Sequence, residues 1–344
     1  MLRKEYNEIM WGVVMLILAK SILGLMLGFV LALIAGFILI PLLKKLHIGQ
    51  SVSHLINARH LKKDGTPTIG GLIFIIPTIL IMLLLYFRKS VELTHNLVIL
   101  MFVFLSYGLL GFIDDFLKVR YHNNKGLPTL VKLALQTVIA IVFYIIFKNN
   151  GGESTLVITS LGLNINLGWA YGLFILMVLV GTTNAVNITD GLDGLAGGLS
   201  ALAFMAYGVI AWGTTWLSGY QDLAIFSFVL VGSLIGFLFF NAYPAKVFMG
   251  DTGSLALGAA LATIAILTRH EMSLILIGGV FVVETLSSLI QIIAIRKFHT
   301  KVFKKAPLHH HFEELGWAET DIVRVFWTAG FLLSMIGIIY GVWL

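Results

Sequence analysis

The 344-residue sequence contains no cysteine and few charged residues. The absence of cysteine excludes disulfides, thiolate metal sites and a cysteine nucleophile. Charged residues make up 12% of the chain and hydrophobic residues 58%, and this charged fraction is about half that of a soluble protein. Neither G-x-x-x-x-G-K-[ST] nor a strand-associated G-x-G-x-x-G occurs, so ATP on a P-loop and a dinucleotide on a Rossmann fold are not indicated. The energy for any group transfer must therefore come with the substrate.

Long stretches of the chain are free of Asp, Glu, Lys and Arg, and most reach the roughly 20 residues that cross a bilayer. They are 21–43, 65–87, 93–113, 133–147, 154–189, 194–221, 223–245, 252–268, the pair 272–283 and 285–295, and 325–344. The pattern predicts an all-α polytopic membrane protein with about ten transmembrane helices. The first helix is interpreted as a retained anchor, because no short apolar run ends in a small-residue cleavage site. Residues 155–159 and 164–167, separated by Leu-Gly, predict a small outer β-hairpin.

Positive charge is unevenly divided between the loops. If both termini lie outside the cytoplasm, the inner loops hold 16 of the 23 Lys and Arg residues, an excess that is typical of cytoplasmic loops. This asymmetry explains the net charge of +6, so we expect a lipid bilayer and no nucleic acid as partner. The chain is predicted to be one transmembrane domain, 1–344, whose active site faces the cytoplasm. Its inner loops are 44–67, 114–132, 187–193, 241–251 and 296–324.

Five carboxylates are predicted at the inner ends of spans, namely Asp114, Asp115, Asp190, Asp193 and Asp251. Adjacent carboxylates repel each other near lipid and need a compensating cation or proton. For the adjacent pair Asp114 and Asp115, one interpretation is a solvated helix end screened by Lys118 and Arg120. The alternative is a Mg²⁺ site or a general base, since hard cations choose carboxylate oxygens.

Two segments combine these acids with glycine-rich helix starts, whose free N–H groups and dipole favour anions. In the first segment, the simple explanation for an aspartate at this position is that Asp190 caps the sixth helix. It leaves Asn187 and Asp193 unexplained, and Asp193 is expected on the same helix face as Asp190. In the second, Asp251 is available to hold a metal that neutralises a phosphate. Phe248 either stacks on a planar base or packs against lipid or a neighbouring helix.

Three consecutive histidines, 309–311, lie in the last inner loop. They cannot all face one metal from one regular element, so a zinc site is a poor interpretation. They either contact phosphate or carboxylate groups of a substrate or form a solvated run. The basic segment 59–71 has two interpretations: it binds the anionic headgroups of the membrane, or it binds a lipid phosphate that is the substrate. Glu284, inside an apolar stretch, is expected to pair with a polar group on another helix and to be structural.

Together these features indicate Mg²⁺-assisted phosphoryl transfer at the cytoplasmic leaflet. At the same residues the chain resembles the polyprenyl-phosphate N-acetylhexosamine-1-phosphate transferases over nearly its whole length. The segments GTPTIGG, GFIDDFLK, NITDGLDGLAGG, NAYPAKVFMGDTGSL and PLHHHFEELGWAE occur in that family's order. The histidine motif followed by Gly-Trp, and Phe-Leu-Lys118 after the paired aspartates in place of a third acid, resemble the bacterial muramoyl-pentapeptide branch more than the N-acetylglucosamine branch.

The resemblance implies a reaction and its partners. Phospho-MurNAc-pentapeptide would pass from UDP-MurNAc-pentapeptide to undecaprenyl phosphate, giving lipid I and UMP, in the bacterial cytoplasmic membrane. Mg²⁺ is the implied cofactor, and a homodimer is the implied assembly.

The resemblance also implies roles for individual residues. Asp251 would be the best metal ligand, and Asp114 and Asp115 would activate the lipid phosphate or share the metal. The implied substrate-binding residues are Lys63, Thr68, Lys125, Lys132, Asn187, Asp190, Asp193, Asn241, Phe248 and Gln291, together with His309, His310 and His311 for the sugar-peptide.

Two other functions are compatible with parts of the sequence. The same chemistry with UDP-N-acetylglucosamine as donor would differ only in sugar selection. A secondary transporter would use the acids as coupling-ion ligands, but these acids are placed at span ends on one side, and no inverted repeat is visible. The sequence leaves open whether attack is direct or passes through an aspartyl-phosphate, and which of Asp114 and Asp115 is the base.

Overall fold

The computed structural model describes residues 2–46, 65–121, 126–158, 161–213 and 220–342. Within these ranges the chain forms twelve helices and one antiparallel pair of strands, β1 (Thr155–Ile158) and β2 (Leu163–Asn166). The helices are α1 (Leu2–Lys45), α2 (Leu72–Phe87), α3 (His95–Arg120), α4 (Thr129–Asn149), α5 (Ala170–Thr189), α6 (Leu195–Gly213), α7 (Tyr220–Asn241), α8 (Gly250–Leu267), α9 (Ser273–Ile277), α10 (Gly279–Phe298), α11 (Leu308–Glu314) and α12 (Glu319–Val342).

Nine of the described helices are long and apolar enough to cross a membrane, and α2 is a shorter apolar helix of 16 residues. In lipid every backbone polar group must be satisfied within the segment, which is why charge-free stretches become helices. The prediction of an all-α polytopic membrane protein is therefore confirmed, as is the hairpin. The orientation of the termini stays a prediction.

Several of the loops predicted on the inner side are shorter than expected, because the helices extend into them. Helix α3 continues to Arg120, and Lys118 and Arg120 in its last turn complement the negative end of the helix dipole. Helix α4 already begins at Thr129, within the predicted loop 114–132. The candidate functional side chains of this predicted loop therefore project from helix ends, and a helix end holds a side chain more rigidly than a loop would.

The predicted second span is shortened at its start. Residues 65–71 are not helical, and this segment pairs with the backbone just before α8. Phe248 N donates to Pro67 O at 2.8 Å, and Gly70 N donates to Phe248 O at 2.8 Å. The predicted ninth span is divided into α9 and α10 at Gly278.

Helix α8 lies at the centre of the fold, and every residue from Thr252 to Leu267 is buried. Small residues allow neighbouring helices to approach it closely, as is common between membrane helices. A Cβ added at Gly111 of α3 would overlap the backbone of Asp251, and one at Gly258 would lie 2.6 Å from Thr183 Cα of α5. The N-terminus of α8 is thereby fixed against α3, and its body against α5.

The hairpin lies at the other end of α8. Its base is bound by Arg269, which follows the C-terminus of that helix. Helix α8 has 18 residues, which corresponds to a length of about 27 Å. The hairpin and the N-terminus of α8 are thus on opposite sides of the helical bundle.

Candidate active site

Three aspartates from two helices converge at the N-terminus of α8. Asp114 and Asp115 project from the last turns of α3, and Asp251 from the first turn of α8. One carboxylate oxygen of each lies within 4.8 Å of the other two. Asp114 is 1% and Asp115 2% exposed. We call these three residues the acidic triad.

Asp115 binds the start of α8 directly. Its Oδ1 accepts from Asp251 N at 3.1 Å, and its Oδ2 accepts from Thr252 N at 2.9 Å and Thr252 Oγ1 at 2.7 Å. Gly111, one turn earlier on the same face of α3, provides the close approach that makes these bonds possible. The sequence predicted that the free N–H groups of this helix start would bind a phosphate. The structure shows that a carboxylate of the chain itself takes two of them.

The other two acids are compensated by lysines. Asp114 Oδ1 accepts from Leu127 N at 2.8 Å, and its Oδ2 lies 2.6 Å from Lys118 Nζ. The same ammonium lies 3.1 Å from Asp251 Oδ2 and 3.6 Å from Asp115 Oδ1. Lys132 forms a second ion pair with Asp251 Oδ2. Lys132 therefore lies beside the triad, and its contact with a substrate stays a prediction. Lys118, predicted only as a possible screening charge, contacts all three acids.

The donor set of the triad fits a hard divalent cation. Three carboxylates carry three negative charges and the two lysines carry two positive ones, so the local charge remains negative. Carboxylate oxygens are the ligands that Mg²⁺ selects, usually together with water and phosphate oxygens. Asn187 supports Asp251 from α5, because its Nδ2 donates to Asp251 Oδ1 at 2.9 Å and to Ser254 Oγ at 2.8 Å. The triad could therefore hold a metal ion through oriented side chains.

The second acidic segment is a turn between helices. Helix α5 ends at Thr189 and α6 begins at Leu195, so Asp190 does not cap the sixth transmembrane helix. The expectation that Asp190 and Asp193 share a helix face is wrong, because α5 ends before Asp190 and α6 begins only after Gly194, whose φ is +80°. Burial, followed by the negative charges of Asp251, Asp115 and Asp193, raises the pKa of Asp190 to about 8.

Asp193 and Asn241 connect this turn to the segment before α8. Ala245 N donates to Asp193 Oδ2 at 2.9 Å. Gly194 N donates to Asn241 Oδ1 at 3.1 Å, while Asn241 Nδ2 donates to Val247 O at 3.0 Å. Both side chains thus hold two backbone segments together. Glu319 of α12 joins them by accepting from Asp193 N at 2.7 Å.

Thr68 and Phe248 lie beside the triad. Thr68 is 6% exposed, and a Cβ added at Gly250 would lie 2.8 Å from its hydroxyl. Gly250 has a φ of +73°, so a side chain there would be strained as well as crowded. Phe248 is partly exposed and is fixed through its backbone by the segment that carries Thr68.

The first histidine belongs to a buried dyad. His309 N donates to Glu284 Oε1 at 3.0 Å, and its Nδ1 lies 2.8 Å from Glu284 Oε2. Both side chains are essentially inaccessible, at 1% and 0% exposed. His309 Nε2 has no hydrogen-bond partner in the described part of the chain, and it faces Gly191, where a Cβ would overlap it. The expected polar partner of Glu284 on another helix is confirmed, and the dyad reaches the turn that carries Asp190.

The other two histidines have separate partners. His310 Nδ1 lies 2.6 Å from Glu313 Oε2, and burial lowers the pKa of this imidazole. Lys304 N donates to His311 Nδ1 at 3.1 Å. Each of the three rings therefore has a partner of its own.

Gln291 is buried on α10 and holds the next loop. Its Oε1 accepts from Val302 N at 3.1 Å and Phe303 N at 3.0 Å, and its Nε2 donates to Phe303 O at 3.0 Å. A direct substrate contact by Gln291 stays a prediction. Lys63 and Lys125, also predicted to bind substrate, lie outside the described residues.

Four contributors were missed by the sequence analysis: Gly111, Thr252, Ser254 and Glu319. Thr252 and Ser254 belong to the quoted GDTGS segment, where hydroxyls beside a helix start are a usable signal. Gly111 and Glu319 also stand in quoted segments, GFIDDFLK and PLHHHFEELGWAE, but their tertiary contacts are not evident from those segments.

Comparison with known proteins gives a consistent result. Residues 96–269 match the family model described as glycosyl transferase family 4. A Geobacillus sp. (strain WCH70) protein named phospho-N-acetylmuramoyl-pentapeptide-transferase is 49% identical over 94% of this chain and 98% of its own length. Proteins of the same name from Bacillus subtilis (strain 168) and Oceanobacillus iheyensis are 48% and 46% identical, each over 93% of this chain and over 97% and 98% of their own lengths.

Proposed function

Since this chain belongs to the phospho-N-acetylmuramoyl-pentapeptide transferases of glycosyl transferase family 4, we propose that it makes lipid I. Phospho-MurNAc-pentapeptide passes from UDP-MurNAc-pentapeptide to undecaprenyl phosphate, and UMP is released. The observation that carries the proposal is the buried acidic triad at one end of a multi-pass helical bundle. Such a site suits the joining of a membrane lipid to a water-soluble donor.

In the proposed reaction, a phosphate oxygen of the lipid forms a bond to the sugar-bearing phosphorus of the donor. The anhydride bond from that phosphorus to the UMP phosphate breaks, and its electron pair leaves with UMP. Both reactants are anionic, so the site must offset their repulsion in a partly desolvated groove. Bound at the triad, Mg²⁺ would neutralise charge on the donor diphosphate.

The chain's own residues then have distinct roles. Asp114, Asp115 and Asp251 would hold the metal. Lys118 and Lys132, on helices α3 and α4, supply positive charge beside it. Asp115 also keeps α8 in place, so replacing it is expected to disturb structure as well as chemistry.

We place the triad at the cytoplasmic face of the bacterial inner membrane. The excess of Lys and Arg in the inner loops supports this orientation, as does the solubility of the UDP-linked donor in the cytoplasm. The homodimer implied by the family resemblance stays a prediction, to be tested by mass measurement of the purified protein.

The test is UMP release by purified, detergent-solubilised protein with undecaprenyl phosphate, Mg²⁺ and one of two donors. Metal-dependent release with UDP-MurNAc-pentapeptide alone is the expected result, and it should disappear with a chelator and in Asp251→Asn. Release only with UDP-N-acetylglucosamine would retain the chemistry and refute the donor assignment. No release from folded protein with either donor would refute the proposal and favour a transporter.

Donor selection can be tested at the histidines. His310 is partly exposed beside the buried dyad, so we propose that it contacts the sugar-peptide part of the donor. His310→Ala should raise the KM for UDP-MurNAc-pentapeptide more than it lowers kcat. An unchanged KM would remove His310 from that role.

A further inference from the structure

The hairpin on the side opposite the acidic triad has one wholly apolar face. In the antiparallel register Leu156 is opposite Ile165, and Ile158 is opposite Leu163. Directly opposite residues of an antiparallel pair lie on the same face of the sheet, so these four side chains form one surface, here called the hairpin apolar face. The other face carries Thr155, Val157, Asn164 and Asn166.

This apolar surface is accessible. Leu163 is 46% and Ile165 41% exposed, and Leu161, in the connection between the strands, is 66% exposed. The two residues of β1 on the same face are only partly buried. An isolated two-stranded hairpin is marginally stable in water at best. Burial of this surface against an apolar partner would therefore stabilise the hairpin.

Polar contacts at its base fix the hairpin relative to the bundle. Arg269 Nη2 donates to Thr155 O at 2.8 Å, and Arg269 Nη1 forms an ion pair with Glu153 at 3.1 Å. Lys148, in the last turn of α4, donates through Nζ to Gly152 O at 2.7 Å and to Ser154 Oγ at 3.0 Å. The apolar face therefore has a set direction.

The hairpin is also held close to the bilayer. Strand β2 ends at Asn166 and the membrane-spanning helix α5 begins at Ala170, and three connecting residues span at most about 10 Å. The exposed side chains at the start of α5 recur every four residues, at Trp169 (79%), Leu173 (57%) and Met177 (66%). An exposed apolar stripe on a membrane-spanning helix is typical of a lipid-facing surface, and tryptophan is enriched where a helix meets the membrane surface.

We propose that the hairpin apolar face lies in the outer leaflet at the boundary between headgroups and acyl chains. The lipid surface is the occupant favoured here, because the face is apolar, fixed in direction and directly continuous in sequence with a lipid-facing helix. The hairpin then acts as an interfacial anchor. It has no part in the proposed reaction.

The absence of cysteine makes a clean test possible. A single spin label is placed at Ile165→Cys on the apolar face and, in a matched control, at Asn164→Cys, its neighbour on the other face. Leu163→Cys and Asn166→Cys form a second pair in case one variant misfolds. The full-length variants are reconstituted in phospholipid nanodiscs, and the collision rates of each label with oxygen and with a water-soluble nickel chelate are measured.

The proposal expects the ratio of oxygen to nickel collisions to be severalfold higher at 165 than at 164, and likewise at 163 than at 166. Equal ratios, with nickel reaching both labels freely, would overturn it. A label at 165 that neither reagent reaches would also overturn it, because a protein surface would then cover the face. Spin–spin broadening that disappears on dilution with unlabelled protein would identify that surface as a second copy of this chain.

Discussion

Replacing Lys118 with methionine should tighten the binding of a divalent metal at the acidic triad. The Lys118 ammonium lies 2.6 Å from Asp114 Oδ2, 3.1 Å from Asp251 Oδ2 and 3.6 Å from Asp115 Oδ1. A metal held by these carboxylates would need the same oxygens, so the ammonium and the metal compete for them. Methionine keeps the length of the side chain and removes its charge.

The size of the effect follows from these distances. At an effective dielectric constant of about 20, opposite unit charges about 3 Å apart attract each other by roughly 5 kcal/mol. Lys118 is 26% exposed, so water and side-chain relaxation offset more than half of this attraction. A remaining difference of about 2 kcal/mol corresponds to a roughly 30-fold lower dissociation constant.

The assay is a titration of purified protein with Mn²⁺, followed by the electron paramagnetic resonance signal of the free ion. Lys297→Met, which removes an exposed cation from the last turn of α10, is the control and should leave affinity unchanged. Lys118→Met should also unfold at a lower temperature in chelator and gain more from added metal than the wild type. Unchanged or weaker Mn²⁺ binding in Lys118→Met would refute the reasoning.

Three further predictions concern the turns and loops around the triad. Glu284→Gln, which weakens both contacts to His309, should reduce the unfolding free energy by about 1–3 kcal/mol and raise the KM for the donor. Thermal unfolding and steady-state kinetics measure these two effects. An unchanged KM would limit Glu284 to a structural role. Asn241→Ala leaves one backbone donor and one backbone acceptor unpaired, so it should lower the unfolding free energy by about 1–3 kcal/mol, as measured by chemical denaturation. A denaturation midpoint equal to that of the wild type would contradict this. The pKa of Asp190 is raised to about 8, so its stability contribution is present at low pH and is lost as pH rises from about 4 towards 8. In chelator the melting temperature of Asp190→Asn should therefore fall less over that range than that of the wild type, and parallel profiles would contradict this.

The site shows where sequence patterns are sufficient and where they are not. The five acids were predicted at span ends from the chain alone. Which of them meet depends on how closely α3 and α8 pack, and this is decided at Gly111. The family resemblance assigns Asp193 to substrate binding, and that role stays a prediction. In the structure its carboxylate binds the backbone of Ala245, 52 residues away in sequence. A polar residue in a motif contacts a substrate or holds the motif together, and only the partners distinguish the two.

The sequence by itself determined the membrane class, the approximate number of spans, the hairpin and the positions of the acids. These features are local, since a charge-free stretch in lipid has to satisfy its own backbone and therefore becomes a helix. Tertiary structure alone decided that Asp115 binds the start of α8, that Lys118 contacts all three acids, and that Glu284 orients His309. Those contacts join residues distant in sequence, and their geometry depends on helix packing at small residues, which hydrophobicity and spacing do not encode.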